Sequence, residues 1–259
     1  MIHATAIIDP TAEISEGVEI GPYAIVGRQV RIGSGTTVGA HAVIGDWTSI
    51  GENNRIFAQA SVGSAPQDLK YKGEECWTRL GDNNMVREFA TIQRGTVTGS
   101  SETVIGNGNL FMAYSHVAHD CRIGNGVVMA NVATLAGHVT VQDSAILGGL
   151  VAVHQFVTIG AHSMIGGGTL VSQDILPYVI ATSDKRDVKL RGLNLIGLKR
   201  RGFSDESIAH LKKAYKTLFM SKLKLSEAVA KIRSEILGCP EVDNLLAFIE
   251  ASQRGVCRG

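Results

Sequence analysis

The chain has 259 residues, an apolar fraction of 44% and a formal net charge of +1. This size suits one large domain or two modest ones with an apolar core, and the near-neutral charge singles out no class of partner. Four cysteines without CxxC spacing predict neither a zinc site nor a disulfide framework. With no leader-like N-terminus and no apolar run of about 18 residues, we expect a cytoplasmic protein without a membrane span.

A six-residue repeat dominates the first part of the chain. Large aliphatic residues recur every six positions from Ile2 to Val62, at 80–92, and again from Ile105 to Val171. A small residue comes four positions after most of them, and glycine often comes directly after. This period is the hexapeptide signature of a parallel β-helix, and chance alignment of ordinary short strands rarely survives so many steps.

The repeat predicts an all-β left-handed parallel β-helix over residues 1–177, built as a triangular prism with three hexapeptides per coil. We expect the aliphatic and small residues to point inward. We expect glycine or asparagine at the corners, where positive φ angles are common. The two interruptions, at about 65–79 and 93–104, predict loop insertions.

The repeat also predicts which residues share a face, because residues 18 positions apart stack at the interstrand spacing of about 4.8 Å. If each interruption is a corner loop, both insertions leave from the same edge. Long loops in a compact fold are usually functional. The face that leads into this edge carries Val62, Ile92, Val117, Leu135 and Val153.

Three histidines follow that face on consecutive coils, so we expect His119, His138 and His154 to project along one edge. A neutral histidine can accept a proton at neutral pH, and a carboxylate beside it can fix its tautomer. Asp120 directly follows His119, but on a regular strand the two would point to opposite faces. The sequence therefore predicts a general base at His119 whose pairing with Asp120 requires a corner or bend.

A metal site is the competing interpretation of this edge, since three histidines can hold zinc, as in hexapeptide-repeat carbonic anhydrases. Those enzymes pair histidines five residues apart. Here the nearest pair, His116 and His119, is three apart. We therefore expect no metal.

The repeat ends at Pro177, and we expect an irregular connection over 178–202 followed by a helical domain over 203–259. Apolar residues at helical spacing predict three amphipathic helices, the first opening at Ser204 and the second at Ser226, with the third after Pro240. The last residues, 253–259, are expected to be frayed.

Charge is unevenly distributed along the chain. Residues 185–233 contain 14 of the 25 Lys and Arg and only 4 of the 24 Asp and Glu, a net charge of +10. This run fits either solvated helix faces or a docking surface for an acidic partner. Nucleic acid is not expected, because no aromatic platform or known binding module accompanies the basic run.

Taken together, the motifs resemble the UDP-N-acetylglucosamine O-acyltransferase family of lipid A biosynthesis over essentially the whole chain. The resemblance depends on the hexapeptide prism and on four segments in a fixed order. These segments are Gln67-Asp68-Leu69-Lys70-Tyr71, His116-Val117-Ala118-His119-Asp120, Val153-His154-Gln155-Phe156 and Gly197-Leu198-Lys199-Arg200-Arg201-Gly202-Phe203.

The resemblance implies an enzyme that moves a 3-hydroxyacyl chain from acyl carrier protein to the sugar 3-hydroxyl of UDP-N-acetylglucosamine. It implies a homotrimer with sites between subunits, and no cofactor. The positive segment would then dock the acidic carrier protein.

The resemblance also implies roles for individual residues. His119 matches the general base, Asp120 its orienting partner, and Gly137 the backbone N–H that binds the oxyanion. Arg200 is implied to reach the neighbouring subunit, and Gly167 matches a position where residue size helps to set acyl length. The sugar and phosphate contacts are matched by Asp68, Lys70, His116, His138 and Gln155. Gln67 is a further substrate-binding position, His154 matches a further active-site residue, and Asn194 and Arg201 match contacts to the uridine and phosphate end.

The chain departs from the family at Ile196, where an acidic residue is frequent. Three alternatives stay open at this stage. One is a related acyltransferase that makes an amide on a 3-amino UDP-sugar. Another uses acyl-CoA in place of the carrier protein. The third is a non-enzymatic scaffold with a histidine-rich metal edge.

Overall fold

The structure is a computed structural model that describes residues 1–184 and 187–257. Short strands separated by tight turns run through most of the chain. In chain order they are β1 (Ile7–Ile8), β2 (Glu13–Ile14), β3 (Glu19–Ile20), β4 (Ile25–Val26), β5 (Arg31–Ile32), β6 (Thr37–Val38), β7 (Val43–Ile44), β8 (Thr48–Ile50), β9 (Arg55–Ile56), β10 (Ser61–Ser64), β11 (Trp77–Leu80), β12 (Met85–Val86), β13 (Thr91–Gln93), β14 (Glu102–Ile105), β15 (Leu110–Phe111), β16 (His116–Val117), β17 (Arg122–Ile123), β18 (Val128–Met129), β19 (Thr134–Leu135), β20 (Thr140–Val141), β21 (Ile146–Leu147), β22 (Ala152–Val153), β23 (Thr158–Ile159), β24 (Met164–Ile165), β25 (Leu170–Val171), β26 (Val179–Asp184) and β27 (Asp187–Leu193).

Every third strand joins the same parallel sheet. The first sheet runs from β1 through β4 and β7 to β25, the second from β2 to β23, and the third from β3 to β24 and on to β26 and β27. Strand partners in the regular coils are 18 residues apart, as with Val117 and Leu135. The predicted left-handed parallel β-helix, followed by a small helical domain, is confirmed.

The core lies inside the prism and consists of the two inward positions of each hexapeptide. Val117, Leu135 and Cys121 are fully buried there. Burial of about 25 cal/mol per Å² of apolar surface holds the coils in one register, because a one-residue slip would turn every inward side chain out. The two insertions cover 65–76 and 94–101, and both connect the first sheet to the second.

The corners follow the sequence prediction at only one of the three edges. Between the second and third sheets, glycine or asparagine has positive φ in most coils, as at Gly35 and Asn53, whereas a serine and a histidine occupy the later corners. The prediction is wrong at the other two edges, where larger residues such as Trp47, His138 and Phe156 have φ of 56°, 62° and 64°. Packing of the coils imposes this left-handed backbone despite its cost of about 1–3 kcal/mol per residue.

The glycine that follows many aliphatic residues is not at a corner, and it is required there by close packing between coils. A Cβ at Gly39 would lie 2.6 Å from the backbone nitrogen of Ala58 in the next coil. Glycine is needed there because two backbones approach closely.

The expectation of an irregular connection over 178–202 is wrong. Strand β26 pairs in parallel with β24 and extends the third sheet, and β27 pairs with β26 in an antiparallel hairpin. A short helix, α1 (Leu195–Arg200), follows. A hairpin has a two-residue period, so a search for the six-residue period could not detect it.

The three predicted C-terminal helices are present as α2 (Asp205–Phe219), α3 (Leu225–Glu235) and α4 (Pro240–Ala251). The Ser204 hydroxyl accepts a hydrogen bond from the Ser207 N–H at 3.0 Å and caps α2. The predicted start of the second helix at Ser226 is one residue late. No helix of the described ranges combines the length and apolarity needed to cross a membrane.

The tail is not frayed as far as it is described. Val256 bridges to Asp174, and the Cys257 N–H donates to the Asp174 carbonyl oxygen at 2.8 Å. Residues 258 and 259 lie outside the described chain. Pairing with the last coil holds the tail, and the local sequence carries no signal for such a contact.

A ladder of buried asparagines links three coils. Asn84 donates from its backbone N–H and its side chain to the Asn54 amide oxygen, at 2.9 and 3.0 Å. Its own amide oxygen accepts two hydrogen bonds from Asn109, both at 2.9 Å. Each amide therefore satisfies polar groups of the neighbouring coils that have no access to water.

We expect Asn84→Ala to lower the free energy of unfolding by about 3 kcal/mol, since several buried donors and acceptors would lose their partners. Urea unfolding monitored by circular dichroism measures the change. Asn131→Ala is the matched control, because that residue is exposed. Equal urea midpoints for the two variants would contradict a structural role for the ladder.

Candidate active site

The corner after β16 brings His119 and Asp120 together. Asp120 has a φ of 59°, which turns the chain so that both side chains lie on the same side. His119 Nδ1 is 2.8 Å from Asp120 Oδ2. The contact that adjacency alone could not guarantee is therefore present, and left-handed backbone at the corner produces it.

The Asp120 carboxylate is buried and accepts hydrogen bonds from the second insertion. The Thr96 hydroxyl donates to Oδ2 at 2.7 Å and the Thr96 N–H to Oδ1 at 3.1 Å. The Ser100 N–H donates to Oδ1 at 2.8 Å. Burial raises the pKa of this carboxyl, but the hydrogen bonds from His119, Thr96 and Ser100 outweigh burial and lower its pKa to about 2. Asp120 is therefore ionised at neutral pH.

An ionised Asp120 requires the proton of neutral His119 to sit on Nδ1, where it donates to Oδ2. Nε2 then carries the lone pair, and nothing in the described chain forms a hydrogen bond to it. The His119 side chain is 17% exposed, so Nε2 remains within reach of a ligand. The pair is thus arranged to accept a proton from outside the protein.

His138 stands beside this pair, one coil further along. Its ring meets the His119 ring edge-on at 5.1 Å and stacks on Phe156 at 4.5 Å. Asp120, His138 and Phe156 occupy the same corner position on consecutive coils. Their stacking limits the orientations open to the His138 ring.

Gly137 lies directly against His119. A Cβ at this position would come within 2.7 Å of His119 Nε2, so only glycine fits. The equivalent residue at the edge between the second and third sheets is Asn125, whose N–H donates to the Asp143 carboxylate of the next coil at 2.7 Å. At the His119 edge the residue equivalent to Asp143 is Gln155. The Gly137 N–H has no hydrogen-bond partner in the described residues. It remains available to a ligand oxygen.

His116 lies on β16, three residues before His119, on the outer face of the first sheet. Its Nδ1 is 2.7 Å from the Thr91 hydroxyl on the adjacent strand. Burial, and then the proximity of His119, lower the pKa of His116. The ring is therefore neutral at pH 7 and can donate or accept a hydrogen bond without adding charge to the site.

The remaining predicted residues of this edge are more exposed. His154 Nδ1 lies 3.1 Å from the Gln155 carbonyl oxygen. In the first insertion, the Lys70 N–H donates to the Asp68 carboxylate at 2.9 Å. The Gln67 N–H donates to the side-chain oxygen of buried Gln93 at 3.2 Å, which ties this loop to the end of β13.

Two groups of predicted site residues lie elsewhere on the prism. Asn194 caps α1 and donates to the His162 carbonyl oxygen at 3.0 Å, which places it with exposed Arg200 and Arg201 at the edge between the second and third sheets. Gly167 is exposed at the third edge, between β24 and β25. The predicted residues therefore occupy all three edges.

His119, Asp120 and His138 offer ligand atoms within 4.8 Å of one another, the one such group of metal-ligating side chains in the described ranges. Both Asp120 oxygens already accept hydrogen bonds from the second insertion, and Oδ2 also accepts from His119. A metal would have to displace part of this network. The donor set therefore fits a proton-transfer pair better than a metal centre.

The sequence interpretation missed four residues of this edge. Thr91 contacts His116, Phe156 supports His138, and Thr96 and Ser100 donate to Asp120. The insertions were placed on this edge in advance, but no spacing identified which loop residues face the carboxylate. Phe156 shares the 18-residue register with His138, and that register could have found it.

Two family models match the chain. One, described as Udp N-acetylglucosamine O-acyltransferase; Domain 2, matches residues 174–257. The other, described as Bacterial transferase hexapeptide (six repeats), matches residues 102–137. The first match spans β26, β27 and the helices, and the second runs from β14 through the His119 corner.

Curated relatives match over the full length. A relative from Trichlorobacter lovleyi, named acyl-[acyl-carrier-protein]–UDP-N-acetylglucosamine O-acyltransferase, is 74% identical over 100% of this chain and 99% of its own. A relative of the same name from Thermodesulfovibrio yellowstonii is 55% identical over 99% of both chains. The solved UDP-N-acetylglucosamine acyltransferase of Bacteroides fragilis is 43% identical, with a TM-score of 0.96 and full coverage of both chains.

The low pKa of Asp120 predicts a pH-dependent contribution to stability. Because the folded pKa of about 2 is below the ordinary value of 3.8, the stabilisation is present above pH 3.8 and is lost as pH falls toward 2. We expect Asp120→Asn to lower the free energy of unfolding by about 2 kcal/mol at neutral pH, with a smaller difference in acid. Urea unfolding between pH 3 and 7 measures this, with exposed Glu75→Gln as control. A difference that does not change with pH would contradict the assignment.

Proposed function

The chain belongs to the acyl-[acyl-carrier-protein]–UDP-N-acetylglucosamine O-acyltransferase family, and from this premise we propose how its residues carry out the reaction. The enzyme transfers an acyl chain from acyl carrier protein to UDP-N-acetylglucosamine, the first step of lipid A biosynthesis. The single observation that carries the mechanism is the His119–Asp120 hydrogen bond, which leaves Nε2 open beside an unpartnered N–H.

In the proposed mechanism His119 Nε2 removes the proton of the sugar 3-hydroxyl. The hydroxyl oxygen attacks the thioester carbonyl carbon of the acyl donor, and the carbonyl oxygen becomes an oxyanion. The Gly137 N–H donates to that oxyanion, a contribution of about 3 kcal/mol in other acyl transferases. When the intermediate collapses, the carbon–sulfur bond breaks and protonated His119 returns the proton to the leaving thiolate.

The remaining histidines have proposed binding roles. His116 and His138 hydrogen-bond the sugar and phosphate groups together with Gln67, Asp68, Lys70 and Gln155, and His154 lines the same edge. Asn194 and Arg201 contact the uridine and its phosphate. The neutral state of His116 supports a hydrogen-bonding role, since a neutral ring can face a sugar hydroxyl without an added charge.

We propose that the working unit is a homotrimer whose sites lie between subunits. The distribution of the predicted residues supports this. His119 lies on one edge of the prism, Asn194 and Arg201 on a second, and Gly167 on the third. A single prism cannot turn three edges toward one substrate, whereas a neighbour can supply the missing groups, with Arg200 reaching across.

An exposed apolar strip also supports assembly. It runs over consecutive coils at the corner between the third and first sheets and is 40–64% exposed. Strips of this kind commonly mark protein interfaces. The strip consists of Phe89, Tyr114, Val132 and Leu150.

The positive segment is the proposed docking surface for the acidic carrier protein. Its described basic residues include Lys212, Lys213 and Lys216 on α2, all exposed, and exposed Arg200 and Arg201 at the end of α1. Charge complementarity of this kind speeds encounter and selects the partner.

A carrier-dependent enzyme of this pathway, with no disulfide among its described cysteines, is proposed to work in the cytoplasm.

Gly167 is proposed to leave room for a longer acyl chain. The glycine is exposed, and a Cβ at this position would lie 3.0 Å from the Gly149 carbonyl oxygen, so any side chain here would cover part of the third edge. Product mass spectrometry with carrier-bound donors of several lengths determines the chain length. The same spectra distinguish an ester on the 3-hydroxyl from an amide on a 3-amino sugar.

We expect His119→Ala to lower transfer by about 10³-fold, because the change removes the nitrogen that accepts the hydroxyl proton. Hydroxyacyl carrier protein and UDP-N-acetylglucosamine are the substrates, and hydroxyacyl-CoA in place of the carrier donor tests the coenzyme A alternative. His3→Ala is the control, because His3 is exposed and lies at the start of the chain, far from His119 in the sequence. Near-normal transfer by His119→Ala would disprove the general-base assignment.

Subunit complementation tests the shared site. His119→Ala and Arg201→Ala chains, each impaired alone, are coexpressed in equal amounts. If each site takes His119 from one subunit and Arg201 from its neighbour, random trimers have about a quarter of their sites intact and recover that share of activity. Activity no greater than that of the parent variants would place both residues in one chain's site.

A further inference from the structure

The second insertion donates several hydrogen bonds to the side chain of Asp120. Thr96 donates twice to the carboxylate, from its N–H and its hydroxyl, and the Ser100 N–H donates once. These groups come from positions 20 and 24 residues earlier in the chain. Three hydrogen bonds of 3.1 Å or less thus reach one buried side chain from a loop that belongs to a neighbouring coil.

The loop is itself held in place by backbone contacts. The Thr96 carbonyl oxygen accepts from the N–H groups of Gly99 and Ser101, both at 3.0 Å. Trp77 on β11 pairs with both ends, since its N–H donates to the Ser101 carbonyl oxygen and its carbonyl oxygen accepts from Gly95. A fixed loop presents its donors in a fixed geometry, which is what orientation of a carboxylate requires.

Gly99 shows that the loop closes tightly on the carboxylate. A Cβ at this position would overlap the Asp120 carboxyl group. The backbone φ of Gly99 lies outside the positive range that would by itself call for glycine. The requirement for glycine therefore comes from the close approach of the loop to Asp120.

The loop donors also determine which oxygen of the Asp120 carboxylate is available to His119. Oδ1 accepts from the Thr96 and Ser100 N–H groups, and Oδ2 accepts from the Thr96 hydroxyl and from His119 Nδ1. A carboxylate free to rotate would offer either oxygen. The Ser100 hydroxyl is also 3.3 Å from Oδ1, but its nearer acceptor is the Glu102 carbonyl oxygen at 2.8 Å. Loop donors therefore occupy Oδ1 and one side of Oδ2, and the remaining side of Oδ2 faces His119.

We propose that Thr96, Gly99 and Ser100 form a carboxylate cradle that locks Asp120 in the orientation in which it holds the His119 tautomer. They are positioning residues that act through Asp120 and contact no substrate. The inference rests on the proposed general-base role of His119 and extends it to a loop with no assigned part in the reaction.

The main test is Thr96→Val, which keeps the shape and removes the hydroxyl donor. We expect kcat to fall about ten-fold, the scale of a lost hydrogen bond to a charged group, with KM for both substrates unchanged. Loss of the hydroxyl donor leaves more negative charge on Oδ2, where it stabilises the imidazolium that forms when the base takes a proton. We therefore expect the acid limb of the pH–rate profile to move to higher pH.

Three companion variants make this test specific. Thr96→Ser keeps the hydroxyl and should restore both kcat and the pH profile. Ser101→Ala, at an exposed neighbour whose contacts are through its backbone, should behave as wild type. In an Asp120→Ala background, Thr96→Val should cause no further loss, because the cradle would have nothing left to orient.

The proposal fails if Thr96→Val leaves kcat and the pH profile unchanged. It also fails if Thr96→Val lowers kcat without moving the profile, or lowers activity equally in the Asp120→Ala background. Thermal unfolding of each variant identifies losses that reflect folding alone. If His119→Ala is inactive while Thr96→Val has normal activity, the general-base assignment is retained and only the cradle proposal is rejected.

Discussion

The structure depends on the stacking of inward aliphatic side chains at an 18-residue interval. Because Val117, Leu135 and Val153 pair strand on strand, every corner residue is placed relative to the residue 18 positions away. Apolar burial enforces the register, since a slip by one residue would expose a whole face of the prism. The functional groups need no separate scaffold, because the register that builds the core also lines them up along the edges.

The active edge combines the regular corner geometry with two local departures from the repeat. Left-handed backbone at Asp120 turns its carboxylate toward His119, and the same geometry one coil later aims His138 toward the pair. At another edge the N–H matching that of Gly137 is capped by Asp143, whereas the Gly137 N–H is left open. The cost of an ionised carboxylate in a buried position is offset by donors from the second insertion.

The arrangement of residues on three edges connects catalysis with assembly. In the proposed trimer, a site built on the His119 edge of one subunit receives Asn194 and Arg201 from another. Such an arrangement would make activity conditional on the apolar contacts along the corner between the third and first sheets. It would also bring the positive surface of α2 close to the groove, where an acidic carrier would deliver the acyl chain.

The sequence by itself determined the β-helix, the three C-terminal helices and the edge that carries His119, because hydrophobic periodicity and register are properties of the chain alone. It also carried the motifs of the family. It could not reveal the β26–β27 hairpin, the docking of Val256 on Asp174, or the convergence of Thr96 and Ser100 on Asp120. Tertiary structure decided these. The contacts of Val256 and of Thr96 and Ser100 join groups 20 or more residues apart, and no local pattern records such a contact. The hairpin is local, but its two-residue period does not register in a six-residue repeat, and its place beside β24 is set by pairing with the last coil.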